Sequence, residues 1–137
     1  RNRIVERLQP RFASLDVLMP IERNMAKSKR CDFTAEISTN GQQHMLVVEV
    51  KGQWHPELYN AAKEQLYDRY AHHPCAAHQG IYLVLWFGAN EKIAGRKLHG
   101  ISGPAELQKK IEEAMPAEVK GRVDVFVLDL SRLEITV

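Results

Sequence analysis

The dipeptide Asn40-Gly41 is the feature that most restricts how this chain can fold, because it separates two runs of strand-like sequence. The run before it, CDFTAEIS, and the run after it, HMLVVEVK, are rich in β-branched and other apolar residues. Asn-Gly is the pair most typical of a two-residue hairpin turn, since both central residues of such a turn need positive φ. The sequence therefore predicts an antiparallel hairpin over residues 31–51, with Phe33 opposite Val48.

The predicted register divides the hairpin into two faces of different character. One face is apolar throughout and carries Phe33, Ala35, Ile37, Leu46, Val48 and Val50. The other face is mixed and carries Asp32, Thr34, Glu36, Met45, Val47, Glu49 and Lys51. A slip of one residue would move every side chain to the opposite face and destroy the apolar surface, so the register is strongly specified.

The mixed face brings two acids together. Asp32 is predicted to lie directly opposite Glu49, with Cβ atoms roughly 4.5–5.5 Å apart. Carboxylates in that arrangement repel each other, and a divalent cation between them would remove the repulsion. Lys51 points to the same side and can reach a water or phosphate oxygen near the cation. The same residues are also compatible with a surface charge cluster in which Lys51 only neutralises the acids.

The remaining segments alternate between helical and strand-like patterns. Helices are predicted over residues 1–9, 56–70 and 104–115, where apolar residues recur at helical spacing. Strands are predicted over residues 18–22, 80–87 and 124–130. The run over 80–87 is nearly all apolar, which is typical of a parallel strand buried on both faces. This order predicts an α/β protein with helices packed on a central mixed sheet.

The composition is that of one globular domain. The chain has 137 residues, of which 45% are apolar and 26% are charged. It has no apolar run near the ~20 residues that cross a bilayer, so no membrane segment is expected. Two cysteines, Cys31 and Cys75, are too few for a disulfide framework and favour a reducing, cytoplasmic setting. Because the sequence begins with Arg1, we expect a single domain over residues 1–137 that forms the C-terminal part of a larger protein.

Positive charge is concentrated before the hairpin. The net charge is only +2, yet residues 1–30 carry eight Lys or Arg against three acids. Lys27, Lys29 and Arg30 come just before Asp32. We expect this basic cluster either to contact phosphates beside the acids or to form a solvated loop.

A second group of metal-ligating residue types follows the second predicted helix. His72, His73, Cys75 and His78 are close in sequence. Their spacing fits no common structural zinc site, and a loop is the simpler interpretation. Nucleophile-elbow, phosphate-loop and dinucleotide motifs are also missing from the sequence.

The hairpin residues resemble the motif of the PD-(D/E)xK nuclease superfamily, which has the restriction-endonuclease-like fold. The resemblance consists of an acid at the start of one strand, Asp32, and Glu49-Val50-Lys51 at the end of the next. A helix and a buried strand follow, as in that superfamily. The resemblance covers residues 1–90 of the chain.

Two positions extend or depart from the superfamily pattern. Cys31 stands where proline often precedes the acid. Gln65, in the segment EQLYDRY, is similar to a glutamine that the exonuclease branch carries on the helix after the lysine. That branch has a tyrosine four residues later, where this chain has Arg69. The acid, acid and lysine therefore match the motif more fully than Gln65 does.

The resemblance implies an α/β/α sandwich with a central mixed sheet and a magnesium or manganese site. Asp32, Glu49 and the backbone carbonyl of Val50 would hold one or two Mg²⁺ or Mn²⁺ ions. Superfamily members often add a glutamate from an upstream segment, for which Glu22 is the best-placed candidate and Glu6 the next.

The resemblance also implies an activity. Lys51 would orient or help to deprotonate the attacking water, while Gln65 and Arg69 would hold the phosphate backbone or brace the lysine. The implied reaction is hydrolysis of phosphodiester bonds, with DNA a better candidate than RNA. Such a domain would serve as the effector of a restriction or anti-phage protein, acting with other domains of its parent chain or as a homodimer. The alternative is a nuclease-like domain that binds nucleic acid or protein without cleaving.

Overall fold

The computed structural model describes residues 24–25, 29–30, 33–70, 74–89 and 99–131. Two very short strands, β1 (Asn24–Met25) and β2 (Lys29–Arg30), pair as an antiparallel ribbon before the hairpin. The helix predicted over 1–9 and the strand predicted over 18–22 lie outside the described residues. The ribbon was not predicted, because two-residue strands leave no periodic pattern in a sequence.

The predicted hairpin is confirmed. Its strands are β3 (Phe33–Thr39) and β4 (Gln42–Gly52), which pair from Phe33 with Val48 to Thr39 with Gln42. Asn40 and Gly41 form the turn with φ of 51° and 77°. These left-handed values are what a two-residue hairpin turn requires, and Asn and Gly are the residues that adopt them at least cost.

The hairpin is one half of a four-stranded mixed sheet of order β3-β4-β5-β6. Strand β5 (Gly80–Trp86) lies parallel to β4, and β6 (Val123–Asp129) lies parallel to β5. Helix α2 (Pro104–Ala114) connects β5 to β6 and begins with proline in its first turn, where a missing N–H has no cost. The α/β class with a mixed sheet is therefore confirmed.

The first connecting helix differs from its prediction. Helix α1 spans Ala62–Tyr70 and is π-helical, whereas the sequence pattern predicted a helix from residue 56. Residues 56–60 form turns instead, since the amide of Leu58 donates to the carbonyl of His55. The His55 ring also accepts a hydrogen bond from the amide of Glu57, a side-chain bond that the apolar spacing could not reveal.

The larger core lies on the face of the sheet that carries Met45 and Val47. It is formed by side chains from β4, β5, β6, the turns before α1, both helices and the segment after α2: Met45, Val47, Leu58, Ala62, Leu66, Tyr82, Val84, Trp86, Leu107, Ile111, Val119, Val123 and Val125. The mixed face of the hairpin is thus the face covered by helices. Glu36 and Glu49 on this face are consequently buried.

The apolar face of the hairpin belongs to a smaller cluster. Phe33 and Val48 are buried there, with Ala35, Val50, Ile81 and Leu83 partly buried around them. Strand β5 is parallel as predicted, and its two faces are buried to different degrees, since Tyr82, Val84 and Trp86 are buried while the alternate residues are half-buried. Further along this face Phe126 is 53% exposed on β6.

Gly80 is a point of close contact between α1 and the sheet. A Cβ atom there would lie 2.8 Å from Cδ1 of Leu66 and 3.1 Å from the carbonyl oxygen of Val47. We expect Gly80→Ala to lower the free energy of unfolding by about 1–3 kcal/mol, as overpacking of a close-packed core does. Gly52→Ala is the matched control, since its Cβ would meet ordinary contact at 3.9 Å. Equal urea midpoints for the two variants would contradict the packing argument.

Candidate functional site

The carboxyl-terminal end of β4 carries an ion pair between a buried acid and a half-buried lysine. Glu49 and Lys51 are two residues apart on the strand, so their side chains project from the same face. Nζ of Lys51 lies 2.8 Å from Oε1 of Glu49, and the two side chains are only 13% and 5% exposed. Two of the three residues predicted to form the site are therefore in direct contact.

The position of this pair in the sheet is also informative. Strand β4 is an interior strand, with β3 on one side and β5 on the other. In open sheets with parallel strands, ligands bind at the edge where those strands have their carboxyl ends. Glu49 pairs with Tyr82 and Lys51 with Val84, so the ion pair approaches that edge of β4 and β5.

Tyr82 lies beside Glu49 on the neighbouring strand. Its side chain is fully buried, and its hydroxyl donates a 2.6 Å hydrogen bond to the carbonyl of Leu58. Burial raises the pKa of Tyr82 well above its ordinary value, and the negative charge of Glu49 raises it further. Tyr82 is therefore a neutral structural residue that ties β5 to the segment before α1.

Two more polar side chains are buried on the same face. Glu36 is buried on β3 and accepts a hydrogen bond from the side-chain amide of Gln43 at 3.2 Å. Thr34 is fully buried, and its hydroxyl has no hydrogen-bond partner. The sequence places Thr34 on the mixed face, but the alternation of residues carries no signal that its hydroxyl is unpaired.

Gln65 lies on α1 and is half-buried. Its side-chain amide donates a 2.6 Å hydrogen bond to Oε2 of Glu57. Within the described part of the chain, Gln65 therefore has a hydrogen-bond partner in Glu57. The prediction that Gln65 braces Lys51 or holds phosphate stays a prediction.

Several predicted site residues lie outside the described residues. These are Asp32, Glu22, Glu6 and Lys27. The backbones of Lys29 and Arg30 form β2, and the backbone of Arg69 belongs to α1, but their side chains are not described. Val50 pairs with Leu83, and its side chain packs in the smaller apolar cluster. That Asp32 lies opposite Glu49 stays a prediction. The hairpin register on which it depends is confirmed as far as the neighbouring pair, Phe33 and Val48.

The histidine-rich segment after α1 contains a short 3₁₀ turn, Pro74–Ala76. Cys75 is half-buried in this turn, and His78 is exposed with a φ of 61°. His72 and His73 lie outside the described residues. Within the described ranges, no three His, Cys, Asp or Glu side chains are grouped as they would be around a metal ion.

An aromatic segment follows the ion pair directly. The ring of Trp54 stacks on Phe87 with centroids 5.3 Å apart. The buried side chain of Gln53 accepts a hydrogen bond from the amide of Phe87 and donates to the carbonyl of Gly88. These contacts hold the ends of β4 and β5 together beside a cavity of about 110 Å³, lined by Gln53, Trp54, Trp86, Ala89, His99, Gly100, Ile101 and Leu107.

Comparison with known families identifies the chain as a family member. Residues 8–89 match the family described as "Domain of unknown function (DUF8371)", and because this is more than half of the sequence, the chain belongs to that family. The matched range includes β4, α1 and β5 and ends before α2. The chain has no significant match among curated proteins or solved structures. None of the described helices is long and apolar enough to cross a bilayer.

Proposed function

We propose that this member of the DUF8371 family is a metal-dependent nuclease that hydrolyses phosphodiester bonds of DNA. The observation that carries the proposal is the ion pair of buried Glu49 and half-buried Lys51 at the carboxyl end of an interior strand. The proposal extends to the fold, which would be a restriction-endonuclease-like sandwich, and to a cytoplasmic location. It also includes action as the effector of a restriction or anti-phage protein, with other domains or as a homodimer.

Stability alone does not account for a charged pair in this position. Glu and Lys are almost never fully buried unless they are paired, and removing both from water costs several kcal/mol per ion. Well-packed apolar residues of similar volume are often neutral or stabilising in place of such a pair. A site that must bind charged groups explains the presence of both residues better than packing does.

The donor atoms on this face fit a hard divalent cation. Glu49 supplies a buried carboxylate, and on the same face of the hairpin Thr34 has a buried, unpaired hydroxyl that can hydrogen-bond to a water of the cation. Asp32 would add a second carboxylate and Val50 a carbonyl oxygen, in the predicted arrangement. Mg²⁺ and Mn²⁺ prefer such oxygen ligands, and Mg²⁺ usually combines one or two carboxylates with waters and substrate phosphate. When bound, the cation would activate the attacking water and offset charge on the phosphate.

The ion pair also supports a proposed role for Lys51 in the reaction. With Asp32 and Glu49 both ionised, one lysine leaves a net negative charge that attracts a cation. A cation on Glu49 would compete with the ammonium of Lys51 for the same carboxylate. The lysine is then free to turn toward a phosphate oxygen, where it stabilises the charge that develops during cleavage. Lys27, Lys29, Arg30 and Arg69 remain the proposed phosphate contacts outside this centre.

A cleavage assay tests the proposal. Plasmid DNA, single-stranded DNA and RNA are incubated with the protein in Mg²⁺, in Mn²⁺ and in excess chelator. We expect cation-dependent cleavage of DNA by the wild type and its loss in Asp32→Ala. Lys109→Ala, at a 78% exposed lysine on α2, should cleave normally. Cleavage that persists in chelator or in Asp32→Ala would contradict the proposal, and DNA binding without cleavage would favour a non-catalytic binding module.

A further inference from the structure

The hydroxyl of Thr34 is the one buried side-chain polar atom of the described residues that lacks a hydrogen-bond partner. Thr34 is 0% exposed, so water at the protein surface does not satisfy this group either. A buried hydroxyl without a partner destabilises a protein by about 1–3 kcal/mol. Such a group in a native core needs an explanation, and a hydrogen bond to an ordered water or the hydration shell of an ion is one.

The register shows where that partner would lie. Thr34 is opposite Val47 in the hairpin, and Glu49 is two residues further along β4 on the same face. Diagonal neighbours of this kind are separated by roughly 7–8 Å. A carboxylate–cation bond of about 2.1 Å, a cation–water bond of about 2.1 Å and a hydrogen bond of about 2.8 Å from that water together span about 7 Å, which bridges such a gap.

We propose that Thr34 is a positioning residue of the cation site, whose hydroxyl hydrogen-bonds to the hydration shell of a divalent cation held by Glu49. This inference rests on the proposed function and adds to it a residue that no motif identifies. Thr34 does not touch the reacting phosphate in this account. It holds the cation's water shell in one orientation, so its loss weakens cation binding while the fold stays intact.

The other polar residues near Glu49 that could hydrogen-bond to the cation's water already have partners in the protein. Glu36 is further from Glu49 along the hairpin and already accepts a hydrogen bond from Gln43. The hydroxyl of Tyr82 is committed to the carbonyl of Leu58. Thr34 is therefore the residue on this face, within the described part of the chain, whose polar atom is both buried and unpaired.

Mn²⁺ binding to the whole chain provides the test. Free Mn²⁺ is measured by electron paramagnetic resonance, and the melting temperature is recorded with and without the ion. Thr34→Val keeps the shape of the side chain and removes the hydroxyl, so the metal-free variant should melt at or above the wild-type temperature. Its Mn²⁺ affinity should fall about 10–100-fold, as it does when a group hydrogen-bonded to a metal's ligands is lost.

Two variants make the test specific. Thr34→Ser restores a hydroxyl and should recover most of the affinity, while Thr39→Val, at the exposed end of β3, should bind like the wild type. If Thr34→Val binds Mn²⁺ normally while Glu49→Gln does not, the role of Thr34 is wrong and the cation site stands. A wild type that binds no Mn²⁺ overturns both. A metal-free Thr34→Val that melts well below the wild type shows a structural hydroxyl and also overturns the inference.

Discussion

Lys51→Met should lower the free energy of unfolding by about 3 kcal/mol, the lower end of the range for breaking a buried ion pair. The lysine is 13% exposed and lies 2.8 Å from a carboxylate that is 5% exposed. Methionine keeps most of the volume of the side chain but leaves the charge of Glu49 without its lysine partner in a poorly solvated position. Chemical unfolding of the metal-free protein measures the change directly.

An exposed ion pair on α2 provides the control for this prediction. Lys109 and Glu113 are 3.9 Å apart with side chains 78% and 63% exposed, so Lys109→Met should have an effect below about 1 kcal/mol. The double variant Glu49→Leu/Lys51→Met removes both charges and should recover most of the stability lost in Lys51→Met. A double variant less stable than Lys51→Met would show that the pair is retained for the fold and would weaken the functional argument.

Glu49→Gln should reduce the rate of DNA cleavage at least about a thousandfold, because a cation contributes several kcal/mol to transition-state stabilisation. Glutamine has nearly the same shape as glutamate but lacks the negative charge that attracts a divalent cation. The rate is measured under single-turnover conditions with saturating protein, so that weaker DNA binding does not lower it.

The matched control for Glu49→Gln is Glu113→Gln, the same change at an exposed acid of α2. It should cleave at the wild-type rate. Raising the Mn²⁺ concentration should partly restore Glu49→Gln, since a weakened site fills at higher ion concentration. A Glu49→Gln protein that folds and cleaves at the wild-type rate would exclude Glu49 from the reaction.

The hairpin shows why part of this fold can be predicted from the sequence. Asn40-Gly41 and the strict alternation of apolar residues specify one turn and one register, and the structure confirms each pair from Phe33–Val48 to Thr39–Gln42. The helix over 104–115 was predicted to within one residue of Pro104–Ala114, since its proline and apolar spacing are local signals. These predictions depend on interactions between residues close in sequence.

Other features depend on contacts that local pattern does not encode. Helix α1 begins at Ala62 rather than at residue 56, because His55 and its neighbours form turn hydrogen bonds first. The apolar run of β5 could not reveal that its two faces would be buried to different degrees. Propensity and periodicity are weak predictors wherever tertiary contacts decide the outcome.

Some features of the candidate site are likewise predictable from the sequence, and others are not. The side-chain period of a strand is enough to predict that Glu49 and Lys51 share a face, but not that they would be buried in contact. The bond from Gln65 to Glu57 joins a helix to the turn before it and was not predicted. The unpaired hydroxyl of Thr34 becomes visible only when all surrounding atoms are placed.

Crystals grown or soaked in Mn²⁺ provide the most direct test of whether Glu49 binds a divalent cation. Anomalous diffraction data identify the ion independently of the protein. We predict a Mn²⁺ peak about 2.0–2.6 Å from a carboxylate oxygen of Glu49, with Asp32 as a second ligand. Crystals saturated with Mn²⁺ in which Glu49 still pairs with Lys51, and in which no peak lies beside it, would contradict the account.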